Sequence, residues 1–273
     1  MTKTFAVIGD PIDHSLSPNI HNAAFNALGM DCTYIAYRIP RGELKEGIES
    51  LRQIKISGFN VTIPHKIEMM KYLDESSEDC KTIGAVNTVT NQNGRLVGHN
   101  TDMDGFLEPI KKRNIAIKGE DVLLLGAGGA ARAIVAGFAK ENARKITVAN
   151  RTKEKGHELA KFAASLGVES SEMSLNEAGQ SAGKYKFIVN ATSVGLKNEP
   201  SPISTDTINS QNVVYDIVYM PMNTDFIAQS KKRSATVIYG YEMLLGQACL
   251  AFEIWHEVKA PYDAMKKVLL GGF

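Results

Sequence analysis

Residues 121–132 read DVLLLGAGGAAR, and residues 145–152 read KITVANRT. The first apolar run breaks into glycines, a helical pattern follows, and the second apolar run ends in Asn150-Arg151-Thr152. Gly126, Gly128 and Ala131 fit the spacing G-x-G-x-x-G/A. In that pattern the first glycine permits a tight turn, the second lets backbone approach a pyrophosphate, and the third small residue lets helix and strand close up. The N-terminus of the following helix adds unpaired N–H groups that suit an anion. A bare glycine pattern says little. This one lies after a strand pattern and before a helical one, the context the motif requires, and outweighs a merely structural glycine turn.

The end of the second run selects the dinucleotide. A site for NAD usually places Asp or Glu there, against the ribose 2′-hydroxyl. Here stand Asn150, Arg151 and Thr152, with Lys155 one turn on. No carboxylate is present to repel a 2′-phosphate, and a guanidinium can both grip phosphate and stack on a base. Cations at a helix N-terminus oppose the helix dipole, so a nearby anion accounts for them better than a solvated surface does. The reading is NADP.

Working outward, strand patterns cover Asp121–Leu125, Lys145–Ala149, Phe187–Asn190, Val213–Ile217 and Thr236–Ile238, alternating with helical ones. That alternation predicts an α/β fold with a doubly wound, Rossmann-like nucleotide domain. Upstream, Thr4–Ile8, residues 32–39 and Gly58–Ile63 read as strands, the last broken by Pro64. Residues 17–29 read as a helix with Ser17 as N-cap, Pro18 at the first position and Gly29 as stop. Residues 43–54 read as a second helix, and residues 85–102 contain a hairpin turning near Asn93-Gly94. A helix follows over residues 103–113, and residues 243–258 and 262–270 are helical. The pattern gives a substrate-type domain over 1–102 and a nucleotide-type domain over 103–240, with the last helices free to cover either.

Composition narrows the class. The chain has 273 residues, 44% hydrophobic and 22% charged, with a net charge of +1. That charge makes no bulk electrostatic case for nucleic acid or an anionic membrane. Met1-Thr2-Lys3 leads into only a short apolar run, so no signal peptide is expected. Cys32, Cys80 and Cys249 are odd in number and lack CxxC spacing, as expected of buried thiols in the cytoplasm. The histidines show no metal-ligand spacing, and none is expected to bind metal. Met69, Met70 and Met243 are expected to fill core.

A hydride cofactor needs a substrate site with a proton donor or acceptor. Three polar clusters end apolar runs in the first half. Ser15-Leu16-Ser17-Pro18 sits at a helix start, where hydroxyls and N–H groups suit a carboxylate, although plain N-capping explains Ser17 almost as well. NVTIPHK, residues 60–66, ends a strand and presents Lys66. The third cluster runs from Asn87, expected on a strand, to Asp102 at the next helix start. Lys66 and Asp102 are able to pair beside a ketone oxygen. Taken singly, a surface lysine and a helix-capping aspartate are the plainer readings.

Together the blocks SLSP, NVTIPHK, AVNT, NTDMDG, GAGGAAR, NRT, NATSVG and GQA run nearly end to end and in order. With them the chain resembles the shikimate dehydrogenases. The resemblance implies NADPH-dependent reduction of 3-dehydroshikimate to shikimate in aromatic amino-acid biosynthesis, by two α/β domains flanking a cleft. It implies that Ser15 and Ser17 hold the substrate carboxylate, with Tyr219 reaching it too. Thr62, Asn87 and Gln247 would bond ring hydroxyls, with Asn60 in support. Lys66 and Asp102 would be the catalytic pair. Gly126, Gly128, Gly129 and Ala130 would meet the pyrophosphate, and Asn150, Arg151, Thr152 and Lys155 the 2′-phosphate. Thr192, Val218, Gly240 and Met243 would line the nicotinamide. It returns the last helices to the first domain, giving 1–102 with 242–273 and a nucleotide domain over 103–241. The partner expected is a small molecule, with neither nucleic acid nor membrane, for a monomer or homodimer. The chain departs from the family where Thr224-Asp225 replaces the frequent Thr-Pro. Alternatives are a quinate/shikimate dehydrogenase of broader range, a methylenetetrahydrofolate dehydrogenase, which SLSP disfavours, and a non-catalytic sensor, which Lys66 with Asp102 disfavours.

Overall fold

A computed structural model describes residues 2–271. The chain divides into two compact units, Met1–Gly105 with Leu245–Gly272, and Phe106–Leu244.

The first unit holds strands β1 (Lys3–Gly9), β2 (Cys32–Arg38), β3 (Gly58–Val61), β4 (Glu75–Ser76), β5 (Thr88–Gln92) and β6 (Arg95–His99). They form one sheet in the order β2-β1-β3-β5-β6-β4. β1 pairs in parallel with β2 and β3, while β3–β5 and β5–β6 are antiparallel. The β5–β6 hairpin turns at Asn93 and Gly94, whose φ of 56° and 97° are the positive values such a tight turn demands. Helices α1 (Ser17–Ala27), α2 (Leu44–Gln53), α3 (Glu78–Ile83) and the start of α4 (Asp102–Lys112) belong here.

Alternation along β1 sorts its side chains to two faces. Ala6 and Ile8 pack with Phe59, Val61 and Val89 against Leu44, Ile48 and Leu51 of α2. Phe5 meets Phe25 of α1, with ring centroids 5.7 Å apart, and Trp255 and His256 at 5.0 and 4.9 Å. Trp255 Nε1 donates to the Val89 carbonyl at 3.0 Å, across Gly58. A Cβ at Gly58 would lie 2.6 Å from that nitrogen, so only glycine admits the indole. In the same cluster His21 stacks on Tyr34, 4.4 Å between centroids and 6° between planes.

The second unit holds β7 (Asp121–Leu125), β8 (Lys145–Ala149), β9 (Glu169–Met173), β10 (Phe187–Asn190), β11 (Val213–Asp216) and β12 (Thr236–Ile238). All their pairings are parallel, in the order β12-β11-β10-β7-β8-β9. Helices α5 (Gly129–Lys140), α6 (Lys153–Ser165), α7 (Leu175–Ser181) and α8 (Asp225–Lys232) complete the βα units. A parallel sheet covered on both faces is built from nearly continuous apolar runs. β10 and β11 are buried throughout. The order reverses between β7 and β10, the crevice where doubly wound sheets bind dinucleotides. The α9 helix (Gly240–His256) begins in this unit and ends in the first, which also takes α10 (Tyr262–Gly271).

Four expectations need correction. Cys80 is buried, but Cys32 and Cys249 are only partly so. Ser17 does not cap α1: Leu16 is the N-cap, without a side-chain bond, and Ser17 is the first helical residue. β3 ends at Val61 rather than Ile63, although Thr62 N still donates to the Ile8 carbonyl at 2.8 Å. Asn87 lies one residue before β5 rather than on a strand. No helix among the described residues is long and apolar enough to cross a membrane.

His21 is fully buried, and neither ring nitrogen finds a hydrogen-bond partner among the described residues. Burial, with help from His256, pulls its pKa from 6.5 down to about 3. The unfolded chain therefore takes up a proton below pH 6.5 that the folded chain refuses until about pH 3. Stability is complete above the upper value and is lost as pH falls through that window. Urea denaturation at pH 7 and pH 5 should show wild type losing about 2 kcal/mol more than His21→Phe.

Candidate active site

In the first unit, Lys66 Nζ lies 2.5 Å from Asp102 Oδ2, with side chains 15% and 6% exposed. Lys66 is presented by the segment between β3 and a 3₁₀ turn at Glu68–Tyr72, and Asp102 is the first residue of α4. That placement sets the carboxylate where the helix dipole favours negative charge. Asn100 Oδ1 accepts the Asp102 N–H at 3.1 Å, so the aspartate side chain is not spent on capping.

Asn87 is the hub. Its Nδ2 donates to Asp102 Oδ1 at 2.9 Å and to Thr101 Oγ1 at 2.9 Å, and lies 3.4 Å from Gln247 Oε1. Its Oδ1 accepts the Thr101 N–H at 2.7 Å, which fixes the orientation of the amide. Asn60 Nδ2 donates to the Asn87 carbonyl and to Thr88 Oγ1, both at 3.0 Å. Asn60 Oδ1 in turn accepts the Tyr34 hydroxyl at 2.6 Å. Gln247 comes within reach because α4 and α9 touch at Gly105, where a Cβ would lie 2.6 Å from the Gln247 nitrogen. Thr62 packs against Gly9, whose Cβ would sit 2.4 Å from the Thr62 methyl. Ser15 Oγ accepts the Ser17 N–H at 3.4 Å, and no hydrogen bond among the described residues ties either serine to Lys66. His65 faces the Ile39 carbonyl at 2.7 Å and is fully buried, a structural placement.

In the second unit, Gly126 turns at φ +102°, and its N–H reaches the Ala149 carbonyl at 2.8 Å. A side chain there would be strained, and its Cβ would meet the Thr192 methyl at 2.8 Å. Gly128 caps α5, and nothing lies within 4 Å of where its Cβ would be. Gly129 and Ala130 open α5, whose first-turn N–H groups have no partner within the helix. Ala131 is buried. At the end of β8, Asn150 Nδ2 donates to the Thr152 carbonyl at 2.7 Å. Thr152 is the N-cap of α6 but makes no side-chain cap bond. Arg151 and Lys155 are exposed, and neither meets a carboxylate among the described residues. These groups fit a pyrophosphate and a 2′-phosphate: an open anion cradle, and cations without partners.

Beyond β10 and β11 lie Thr192, the buried Val218 and the half-buried Tyr219, whose phenol burial pushes upward in pKa. Gly240 packs on the preceding loop, where a Cβ would sit 2.5 Å from the Val218 carbonyl. Met243 is buried on α9. Tyr219 thus belongs to the unit with the glycine turn, while the other expected substrate residues belong to the first. Tyr34, Thr88, Thr101, Asn100, Asn190 and Asp216 were not singled out from the sequence. Asp216 carried a signal, a carboxylate inside the apolar run VVYDIV.

Hydride chemistry on a nicotinamide dinucleotide is the class that this sheet order and the paired ammonium and carboxylate define. Residues 7–89 match the shikimate dehydrogenase substrate binding domain, residues 109–206 the shikimate / quinate 5-dehydrogenase family, and residues 240–270 the shikimate 5′-dehydrogenase C-terminal domain. A shikimate dehydrogenase (NADP⁺) of Nitrosopumilus maritimus is 67% identical over the whole of both chains. The crystal structure of shikimate dehydrogenase from Aquifex aeolicus superposes with a TM-score of 0.91 at 38% identity, covering 98% of this chain and 97% of that one. That of Thermus thermophilus in complex with NADP(H) and shikimate gives 0.88 at 34% identity, covering 99% and 100%. The chain belongs to the shikimate dehydrogenase family.

Asn87 is almost fully buried, and its truncation strands the Thr101 N–H and one oxygen of Asp102. Asn87→Ala should cost about 1–3 kcal/mol of stability by urea denaturation.

Proposed function

We propose that the chain catalyses the reversible NADPH-dependent reduction of 3-dehydroshikimate to shikimate, a step of aromatic amino-acid biosynthesis. The observation that carries this reading is the Lys66–Asp102 pair. An ammonium has three N–H bonds, and Asp102 takes one, the only partner of Lys66 Nζ among the described residues. The others remain to bind an oxygen. NADPH, when bound, supplies the hydride that reduces the ring ketone. Lys66 donates to the ketone oxygen, strengthening that bond as negative charge develops, which is where a donor lowers a barrier. Asp102 holds Lys66 in place and shares the proton, and Asn87 holds Asp102. In the reverse direction the same pair receives the hydroxyl proton.

Thr62, Asn87 and Gln247 bond the ring hydroxyls, with Asn60 behind them. Ser15 and Ser17 hold the carboxylate beside the first turn of α1, and Tyr219 joins them. Gly126, Gly128, Gly129 and Ala130 cradle the pyrophosphate. Asn150, Arg151, Thr152 and Lys155 hold the 2′-phosphate, and Thr192, Val218, Gly240 and Met243 line the nicotinamide. A carboxylate in place of Arg151 would repel that phosphate, which is why this position selects the cofactor.

A panel of shikimate and quinate, each with NADP⁺ and NAD⁺, tests the reading by absorbance. Shikimate with NADP⁺ should be the preferred pair, and preference for quinate with NAD⁺ would overturn it. Lys66→Ala should lower kcat by about 10²–10⁴ with a smaller change in KM, the mark of an interaction made in the transition state. An unchanged kcat sinks the role of Lys66. Arg151→Asp should lower kcat/KM for NADP⁺ by about 10–100-fold and spare that for NAD⁺.

A further inference from the structure

The carboxyl ends of β10 and β11 are joined by a buried carboxylate that the proposed chemistry does not use. Asn190 and Asp216 are the last residues of these strands, paired side by side, and both are fully buried. Asp216 Oδ1 accepts Asn190 Nδ2 at 2.9 Å and the Val218 N–H at 3.0 Å. Asp216 Oδ2 accepts the Thr224 hydroxyl at 2.6 Å. Asn190 then governs the other loop. Its Oδ1 takes the Thr192 N–H at 3.0 Å and the Thr192 hydroxyl at 2.7 Å, and its Nδ2 reaches the Val194 carbonyl at 3.1 Å. One acid therefore fixes Thr192, Val218 and the N-cap of α8 in a single arrangement.

Every partner of Asp216 is a donor, and an ionised carboxylate is the side chain that only accepts. Burial pushes its pKa up to about 6, while the three donors pull it back. Burying an acid in a largely apolar parallel sheet is costly, and a well-packed apolar pair would serve stability as well. The arrangement therefore calls for a role beyond stability.

The glycine turn and the end of β8 lie on one side of the strand-order reversal. A dinucleotide that starts there and spans the crevice reaches the loops after β10 and β11 with its other half. We infer that Asp216 is a positioning residue for the nicotinamide half of the cofactor, acting through Asn190–Thr192 and Val218, an inference that rests on the proposed use of NADP.

Binding measurements with two ligands test this. NADPH engages both halves of such a site, and adenosine 2′,5′-bisphosphate engages only the adenosine half. Asp216→Asn turns an amide N–H₂ toward a donor. It should weaken NADPH by about tenfold or more and leave the bisphosphate at its wild-type affinity. Thr224→Val, which removes the donor to Oδ2 together with the N-cap hydroxyl of α8, should act in the same direction and carries the comparison if Asp216→Asn does not fold. Thr224→Ser should restore wild-type binding. Unchanged NADPH affinity in both variants, or equal loss of the two ligands, overturns the role. Wild-type protein that binds neither ligand overturns the cofactor reading and this role with it, whereas wild-type binding with unaltered variants overturns this role alone.

Discussion

Asp102 keeps its carboxylate nearly out of water, and the first unit is arranged around that fact. An ion pair removed from water gains from mutual attraction only if its remaining hydrogen-bonding capacity is met. Lys66 meets one oxygen and Asn87 the other, while the start of α4 adds its dipole. Asn87 is itself held by the Thr101 N–H, and its main chain is clasped by Val61 and His99. Behind it the bonds run in one direction, from the Tyr34 hydroxyl to Asn60, from Asn60 to Thr88, and from Thr88 to Asn87 Oδ1 at 3.1 Å. Such a chain, with each amide committed at both ends, has few ways to rearrange. The buried His21 stacks on the Tyr34 ring at the head of this chain.

The second unit solves a different problem, because its ligand is an anion. Among the described residues the first turn of α5, the N-cap hydroxyl of Thr152 and the exposed cations Arg151 and Lys155 are left open to a ligand. Cations near the N-terminus of α6 oppose its dipole, a local cost that a phosphate removes. Gly126 shows how little freedom the turn has. Its φ excludes a side chain, and so does the Thr192 methyl against it, two independent reasons for one residue.

Much of this was legible in the sequence, for physical reasons. Parallel strands buried on both faces are largely apolar, so β7, β8, β10 and β11 stand out as runs. Asn93-Gly94 marks the hairpin because only such residues accept its dihedrals. β9 was invisible because ESSEM is an edge strand, exposed or half-buried along its length, and β4 is two residues long. The helix α3 has six residues, too few to show a period, although Ser77 caps it and Gly84 closes it in the left-handed region. Ser17 misled because a serine before proline looks like a cap, while the chain starts its turn one residue earlier, at Leu16. The networks around Asn87 and Asp216 were out of reach for another reason. Asp216 meets Asn190 from 26 positions back, and Asn87 meets Asn60 from 27 back. Only sheet order brings such residues together.

The two units thus divide the polar accounting in opposite ways, and the division bears on selectivity. Around Lys66 the amides of Asn60 and Asn87 already meet protein partners, so a ring hydroxyl shares Asn87 with Thr101 and Asp102, while the ammonium keeps N–H bonds beyond the one Asp102 takes. A ligand there gains most by offering an oxygen acceptor to that ammonium, which a ring ketone does and a hydrocarbon does not. A buried donor left without its acceptor costs more than a made bond gains. The site therefore rejects analogues lacking that oxygen more strongly than it attracts those that have it, and discrimination of this kind needs no movement of the saturated network behind the lysine.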